Sequence, residues 1–396
     1  MTAEQRFLLL LILVGAVATL LGLVSKRARL LPYPVVLAMA GIAVGLLPGT
    51  QFPRIGGGVI LLAFVPGLIF EAALTLDQPE LRRRILPVGL LATIGVAITV
   101  VLIGVLTHLI LGLSWASAML LGAILAATDP IAVITLLRRV NAPGGLVAIL
   151  EGESLFNDGT GVAVFSAVLA TILSGAPSFG DASVRFLEIT LGGAAIGLAV
   201  GFLGLALLRF AEDAPLEILA TLVIAYGSYL AADLLHASGI VAVVVAGIVV
   251  ARYGSRIGRL HGPQLLGFWN LLAFVLNAML FILVGAALPA TTLLPVAGLV
   301  AIAFVIMLVT RAVPVYGLLA LADFRGASIP WAWRHVTFWA GLRGALPVAL
   351  ALSVAGMSGV DSRVSVIAYG VVLLSLLVQG GLFAPLMRWL KVEAAA

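Results

Sequence analysis

Long apolar stretches follow one another along almost the whole chain, separated only by short polar segments. A helix that crosses a bilayer needs about 20 predominantly apolar residues. Because lipid offers the backbone no hydrogen bonds, a spanning segment must form a helix or part of a closed barrel. Stretches of this length predict an all-α polytopic membrane protein. Charged residues make up 10% of the 396, far below the roughly 25% of soluble domains, and this excludes a soluble fold.

The apolar stretches predict thirteen transmembrane helices, near residues 6–25, 33–48, 56–76, 86–111, 115–137, 145–174, 184–210, 215–235, 238–253, 264–289, 292–320, 330–356 and 364–390. Sixteen of the 22 Lys and Arg residues then lie in segments on one side, four lie on the other, and Arg311 and Arg343 lie inside spans. The positive-inside rule places the N-terminus outside and the C-terminus in the cytoplasm. The charges around the first span have the reverse order of a signal peptide, which predicts a retained helix.

Two interrupted spans indicate an inverted repeat. The fifth span contains Thr128, Asp129 and Pro130, and the twelfth contains a glycine-rich segment from Gly341 to Pro347. A shift of seven helices relates the first six spans to the last six with reversed orientation, and it matches the two interruptions. Matched Gly and Pro interruptions are the best sequence indication of a transporter's binding site.

Acidic side chains within the spans indicate what is transported. Glu71, Asp129 and Asp158 lie in the third, fifth and sixth spans. A charge at bilayer depth costs ~2.5 kcal/mol or more, so it normally faces a polar cavity or a partner. The chain has no Cys, and carboxylates and hydroxyls without soft ligands suit a hard cation or a proton. The pattern predicts exchange of a monovalent cation for protons, with no cofactor and no nucleic-acid partner.

Residue spacing separates two faces of the sixth span. Ser154 and Asp158 are four residues apart and share one face, whereas Glu153 and Asn157 share another, roughly 100° around the helix. Ser154 and Asp158 are therefore expected to line one cavity with Thr128.

The face that bears Glu153 is expected to meet a buried cation. Arg343 is the arginine predicted near mid-span, so we expect it to pair with Glu153, because an isolated buried charge is costly. Arg311 lies near the cytoplasmic end of its span and is expected to extend its charge towards water.

Pro130 is expected to open the fifth span at Thr128, since it lacks an N–H and opposes the carbonyl one turn earlier. The carbonyls freed near residues 126–128 are candidate cation ligands, and Asn157 is expected to donate to them. Asp129 precedes Pro130 and is placed to cap the second half-helix. Titration of Asp129 is the less favoured alternative.

Asp158 is expected to be the single titrating carboxylate. The chain has two lysines, Lys26 and Lys391, and both lie at membrane edges, so no buried lysine can carry a second proton. Cation and proton then compete for one charge, which favours electroneutral one-for-one exchange. Glu71 is expected to contribute to the ion site or its entrance, and Glu151 is expected to be solvated at the cytoplasmic entrance.

The interrupted and acidic segments resemble those of the NhaP-like, Na+/H+ exchanger branch of the monovalent cation/proton antiporters. They occur in the family's order along nearly the whole chain, and they are Phe70-Glu71, Ala127 to Val133, Glu151 to Thr160, and Gly341 to Ala345. The resemblance implies thirteen helices in which the fifth and twelfth are unwound and cross at the ion site. It implies Na+ bound by Asp158, Ser154, Thr128 and Glu71, beside the candidate ion-site residue Asp129 and the supporting residues Asn157, Glu153, Arg343 and Pro130. The adjacent residues Asn157 and Asp158 resemble the Asn-Asp pair of the family members whose exchange is electroneutral.

The resemblance also implies a fixed, dimer-forming scaffold and a mobile core that moves like an elevator. The expected divisions are scaffold helices 1–3 in residues 1–85, core helices 4–6 in 86–174, linking helix 7 in 175–211, scaffold helices 8–10 in 212–291, and core helices 11–13 in 292–396. A homodimer in the plasma membrane is expected, with Na+ (or Li+ or K+) and H+ as substrates. Because the chain ends soon after the thirteenth span, control by a long cytoplasmic tail is not expected.

Two alternatives stay open at this point, and a third is disfavoured. A K+/H+ antiporter of the same family would use the same residues, since cavity size and rigidity decide between the cations. A cation-coupled symporter would need a second polar site, for which the spans offer few candidates. An intramembrane hydrolase using Ser154 would lack a histidine at comparable depth.

Overall fold

The structure is a computed structural model that describes a few residues between 15 and 22 and then residues 33–45, 57–129, 131–174, 179–254, 262–286, 290–390 and 392. Its main helices are α1 Tyr33–Gly45, α2 Gly57–Thr75, α3 Ile85–Leu111, α4 Trp115–Ala126, α5 Ile131–Arg139, α6 Gly144–Leu173, α7 Phe179–Leu208, α8 Ala214–Leu234, α9 Gly239–Gly254, α10 Pro263–Ala286, α11 Leu294–Ala327, α12 Trp331–Trp339, α13 Ala345–Ser353 and α14 Arg363–Leu390. Over these described ranges the fold contains no β-strand.

The all-α membrane class is confirmed. Within the described residues, eight helices are long and apolar enough to cross a bilayer, and Tyr33–Ala43, Trp115–Ala126 and Gly239–Gly254 are shorter apolar helices. Each of the second to thirteenth predicted spans coincides with a helix, and the fifth and twelfth each consist of two halves. Most boundaries agree to within a few residues, whereas α11 continues to Ala327, seven residues beyond its predicted end. The first predicted span, 6–25, lies almost wholly outside the described residues.

Small residues allow α1 and α10 to pack at backbone contact. A Cβ atom added to Gly41 would lie 2.2 Å from the carbonyl oxygen of Ile282, and one added to Gly285 would lie 2.1 Å from that of Ala38. Close approach at small residues is a main source of helix association in membranes. This contact fixes α10, which lines the cavity described below, against α1.

Two clusters of buried apolar side chains meet at α6. One joins α3, α4, α11, α13 and α14 and includes Phe165 of α6. The other consists mainly of residues from α2, α8, α9 and α10 and includes Ile149 and Leu155 of α6. The polar middle of α6 therefore lies between two packed groups of helices.

The interrupted spans touch each other at their breaks. The first break follows Ala126, because Ala127 is extended (φ −63°, ψ 137°), one residue before the predicted opening at Thr128. The second break separates α12 from α13, which begins at Ala345. Across the crossing, the backbone N–H of Asp129 donates to the carbonyl of Leu342 at 2.8 Å. The prediction of two crossed, unwound helices is thus confirmed.

Candidate ion-binding site

A cavity of about 420 Å³ opens beside the crossing of the two breaks. All five residues predicted to bind the ion line it, namely Glu71, Thr128, Asp129, Ser154 and Asp158. They come from α2, from the first break and from α6. These five residues lie up to 87 positions apart in the chain, and the fold brings them to one chamber.

Thr128, in the first break, is hydrogen-bonded to Asn157 of α6 through both its backbone and its side chain. Its N–H donates to Oδ1 of Asn157 at 3.2 Å, and its hydroxyl oxygen accepts from Nδ2 of Asn157 at 2.6 Å. Asn157 was expected to donate to freed carbonyls, and that detail is wrong: its amide bonds the N–H and hydroxyl of Thr128. Beyond the end of α4, the backbone N–H of Thr128 has no partner within a helix. The two hydrogen bonds supply that partner and hold Thr128 against α6.

Ser154 and Asp158 present oxygen atoms to the cavity from one face of α6, as the spacing predicted. The Ser154 hydroxyl donates to the carbonyl of Thr128 at 2.6 Å. A hydroxyl that donates its proton keeps its lone pairs for another partner, and a carbonyl oxygen has a second lone pair. Both oxygens can therefore ligate a cation next to the Asp158 carboxylate, which lines the same cavity.

The predicted pairing of Glu153 with Arg343 is wrong. Glu153 forms its ion pair with Nη1 of Arg311. Arg311 is only 6% exposed, so the expectation that its charge reaches water is also wrong. Its guanidinium further donates to the carbonyl of Thr337 at 3.3 Å. Both predictions failed because they depended on how α11 is rotated about its axis. In the structure α11 directs Arg311 towards α6, and hydropathy does not indicate which neighbour a helix face meets.

Arg343 instead binds backbone carbonyls at the C-terminal end of α4. Its Nη1 donates to the carbonyls of Ala126 and Ala127 at 3.2 and 3.1 Å. The negative end of a helix dipole favours a cation at this position. These carbonyls were expected to be free to bind the transported ion, but the arginine occupies them. Of Ala126, Ala127 and Thr128, only Thr128 is among the residues that line the cavity.

A polar pair in α14 supports the second break. The backbone N–H of Arg343 donates to the hydroxyl of Ser375 at 3.0 Å, and that hydroxyl donates to Oε1 of Gln379 at 2.7 Å. Both side chains are fully buried. Neither residue was predicted, although two polar residues four positions apart in an otherwise apolar span indicate a buried polar contact.

The cavity mouth carries an ion pair that the sequence analysis also missed. Glu151 and Thr135 line the cavity with Arg138, and Nη2 of Arg138 lies 2.6 Å from Oε1 of Glu151. Glu151 is thus partnered, whereas simple solvation had been expected. Thr75 lies beside Glu71, and its hydroxyl donates to the Glu71 backbone carbonyl at 2.9 Å. Asn270 and Asn277 of α10 complete the polar lining.

The cap role of Asp129 stays a prediction. Pro130 and the side chains of Ile131 and Ala132 lie outside the described residues. Gly344 contacts the Asp129 side chain closely, since an added Cβ would lie 2.3 Å from the Asp129 Cβ.

The charges around the crossing do not balance. Asp129, Glu153 and Asp158 provide three carboxylates, and Arg311 and Arg343 provide two guanidiniums. With all five ionised, this described cluster has a net charge of −1, which is costly at bilayer depth. One bound monovalent cation, or one proton, brings it to zero. In the part of the chain that the structure describes, no group of three His, Cys, Asp or Glu side chains is arranged to hold a metal ion.

Comparisons with known proteins agree on one family. The family model described as "Sodium/hydrogen exchanger, transmembrane" matches residues 13–389. The Na(+)/H(+) antiporter ApNhaP of Aphanothece halophytica is 38% identical over 95% of this chain and 73% of its own length. The Na(+)/H(+) antiporter NhaP of Pseudomonas aeruginosa is 36% identical over 83% of this chain and 80% of its own length.

A solved structure has the same fold. The sodium proton antiporter MjNhaP1 from Methanocaldococcus jannaschii, solved at pH 8, superposes with a TM-score of 0.78. The match covers 98% of this chain and all of the other, at 22% sequence identity.

Proposed function

The chain belongs to the transmembrane sodium/hydrogen exchanger family, and on that premise we propose that it exchanges Na+ for H+ at Asp158. It is an integral membrane transporter and not an enzyme. The observation that carries the proposal is the chamber in which Asp158, Ser154 and the Thr128 carbonyl come together. These are hard oxygen donors of the type that suits an alkali cation. The names of the curated relatives favour Na+ over K+ as the substrate.

Charge balance supports a stoichiometry of one Na+ for one H+. The cluster around the crossing has one carboxylate more than it has arginines. A single Na+ or a single proton compensates for that excess equally well, so both loaded forms of the site have the same net charge. An empty site would leave the buried charge uncompensated, which disfavours movement of the site without a substrate. Exchange is then obligatory and electroneutral.

The packing supports an elevator-type movement. The cavity lies between the two groups of helices that bury their side chains against each other. Thr128, Asp158 and Pro347 line it from one group, and Glu71 and Asn277 line it from the other. Sliding of one group past the other would carry Asp158 across the membrane. We further propose a homodimer built on the second group, in the plasma membrane, with the N-terminus outside and the C-terminus in the cytoplasm.

Purified protein in proteoliposomes that contain a pH-sensitive dye tests this function. Addition of Na+ should move protons, and Li+ and K+ added separately give the selectivity. Asp158→Asn should fold like the wild type and show no Na+-dependent proton flux, because it removes the charge for which the two ions compete. Appreciable flux in folded Asp158→Asn, or no flux in the wild type, would overturn the proposal. Flux with K+ alone would assign the chain to K+/H+ exchange.

A further inference from the structure

Two polar residues of α10, Asn270 and Asn277, line the cavity but are not among the predicted ion ligands. Between Asn270 and Ala286 this helix is apolar except for Asn277, and no charged residue occurs between Pro263 and Ala286. Asn270 and Asn277 are seven residues apart, almost two full turns, so they share one face. That face lines the cavity. Polar side chains inside a membrane span are costly and are commonly functional.

Neither amide is hydrogen-bonded to the part of the chain that the structure describes. Among the residues that the structure describes, no hydrogen bond is made by the side chain of Asn270 or Asn277. An amide that leaves water without a compensating hydrogen bond is destabilising. Both residues line the cavity, so water or a cation inside it can bond to their amides. The amide oxygen is a hard neutral donor that ligates such cations.

Packing contacts place the two amides at different depths. Trp269, the neighbour of Asn270, packs on Phe70 with ring centroids 4.9 Å apart, and Phe70 precedes Glu71. Asn270 therefore lies at the level of Glu71, near the mouth. Leu280, one turn beyond Asn277, belongs to the same buried cluster as Ala345.

Since Ala345 begins the half-helix that follows the second break, Asn277 lies at the level of the crossing. The rise along the helices agrees with this placement. Asn277 is fourteen residues from the start of α10, and Asp158 is fourteen from the start of α6. Both helices are predicted to start at the cytoplasmic side, so each residue lies about 21 Å along its helix.

We propose that Asn277 is a further cation-binding residue, whose amide oxygen contacts Na+ at Asp158 only while the site opens to the cytoplasm. The proposal rests on the exchange function proposed above. Leu265 and Trp269 of α10 pack with α2, α8 and α9. In the proposed movement α10 therefore stays in place, and Asp158 moves away from Asn277. Asn277 then lowers the cytoplasmic KM for Na+ without affecting the external KM. Its neighbour Asn270 lies too close to the mouth to take part in this contact.

Side-specific kinetics test the assignment. Exchange is measured in right-side-out and everted membrane vesicles that contain wild type, Asn277→Leu, Asn277→Asp or the control Gln264→Leu, which removes an amide of the same helix outside the cavity. Asn277→Leu should raise the cytoplasmic KM for Na+ about tenfold, as expected for one lost contact to a charge, with the external KM unchanged. Asn277→Asp, which keeps an oxygen at the same place and adds a negative charge, should lower the cytoplasmic KM below that of the wild type. Gln264→Leu should behave as the wild type does.

An unchanged cytoplasmic KM in folded Asn277→Leu, or equal increases on both faces, would overturn the assignment. If Asn277→Leu does not fold, Asn277→Asp decides alone, because a cytoplasmic KM unaffected by the added charge contradicts contact with the cation. Thermal stabilisation of the purified protein by Na+ separates this inference from the proposed function. It reports binding without transport, and Asn277→Leu should reduce it even if Na+ were not exchanged for H+. If Na+ stabilised Asn277→Leu as much as it stabilises the wild type, the role of Asn277 would be contradicted.

Discussion

Two buried arginines next to the crossing neutralise different partners. Arg311 compensates the carboxylate of Glu153, whereas Arg343 compensates the carbonyl end of α4. Removal of one member of a buried ion pair leaves an uncompensated charge, which costs about 3–5 kcal/mol. Substitution of Glu153 or Arg311 is therefore expected to destabilise the protein, and any loss of transport should follow from that destabilisation.

A double-mutant cycle tests which arginine belongs to Glu153. Glu153→Gln and Arg311→Gln should each lower the melting temperature strongly, and the double variant should be more stable than the sum of the two losses predicts. The coupling should be about 1–3 kcal/mol, in the range of residues in direct contact. Arg138→Gln is the matched control, because its exposed pair with Glu151 is worth about 0–1 kcal/mol. Stronger coupling of Glu153 to Arg343 than to Arg311 would contradict the assignment.

Spacing within one helix predicted the chemistry of α6, but partners on other helices were not predictable. The four-residue interval correctly placed Ser154 and Asp158 on the cavity face and Glu153 on another. The partner of Glu153 depends on the rotation of α11, which packing decides and hydropathy does not report. The position of Asn277 in the cavity could not be predicted for the same reason, since an isolated Asn in an apolar span does not show which cavity it faces.

At the scale of elements, the crossing of the breaks requires a residue without a side chain at position 344. A Cβ added to Gly344 would lie 2.2 Å from Oδ2 and 2.3 Å from Cβ of Asp129. The Gly344 backbone is extended (φ −98°, ψ −150°), a conformation open to any residue. The constraint is therefore space, and not backbone strain.

Gly344→Ala should force the two breaks apart. The expected loss of stability is about 1–3 kcal/mol, as for other overpacked sites, and Na+-dependent proton flux should fall sharply because Asp129 must move. Gly317→Ala in α11 is the matched control, since nothing lies within 4 Å of an added Cβ there. That variant should be as stable as the wild type or slightly more so. Equal melting temperatures and fluxes in the two variants would show that the crossing tolerates a side chain.

The helices and their interruptions could be predicted because apolar length and proline act directly on the backbone. The spans predicted at 145–174 and 264–289 match α6 and α10 closely. The exact end of α4 could not be predicted, since Arg343 from a distant segment stabilises the carbonyls of Ala126 and Ala127. Local sequence does not contain that contact.

At the scale of the whole molecule, the site lies where two groups of helices face each other. The division into a core and a scaffold stays a prediction, supported by the two separate apolar clusters. The charge count around the crossing depends only on residue identity and position. In the proposed function, a single compensating charge is the condition for movement of the site.

A measurement of charge movement tests the central claim most directly. Proteoliposomes with wild-type protein are given a Na+ gradient, with and without a K+/valinomycin potential verified by a voltage-sensitive dye, and current is recorded on a solid-supported membrane. If one Na+ replaces one H+ at Asp158, the proton flux should be the same at every imposed potential, and only a small binding transient should appear. A sustained current, with net positive charge moving in the direction of the protons, would contradict the account. It would show that a second carboxylate titrates, and Asp129 would be the first to replace with Asn.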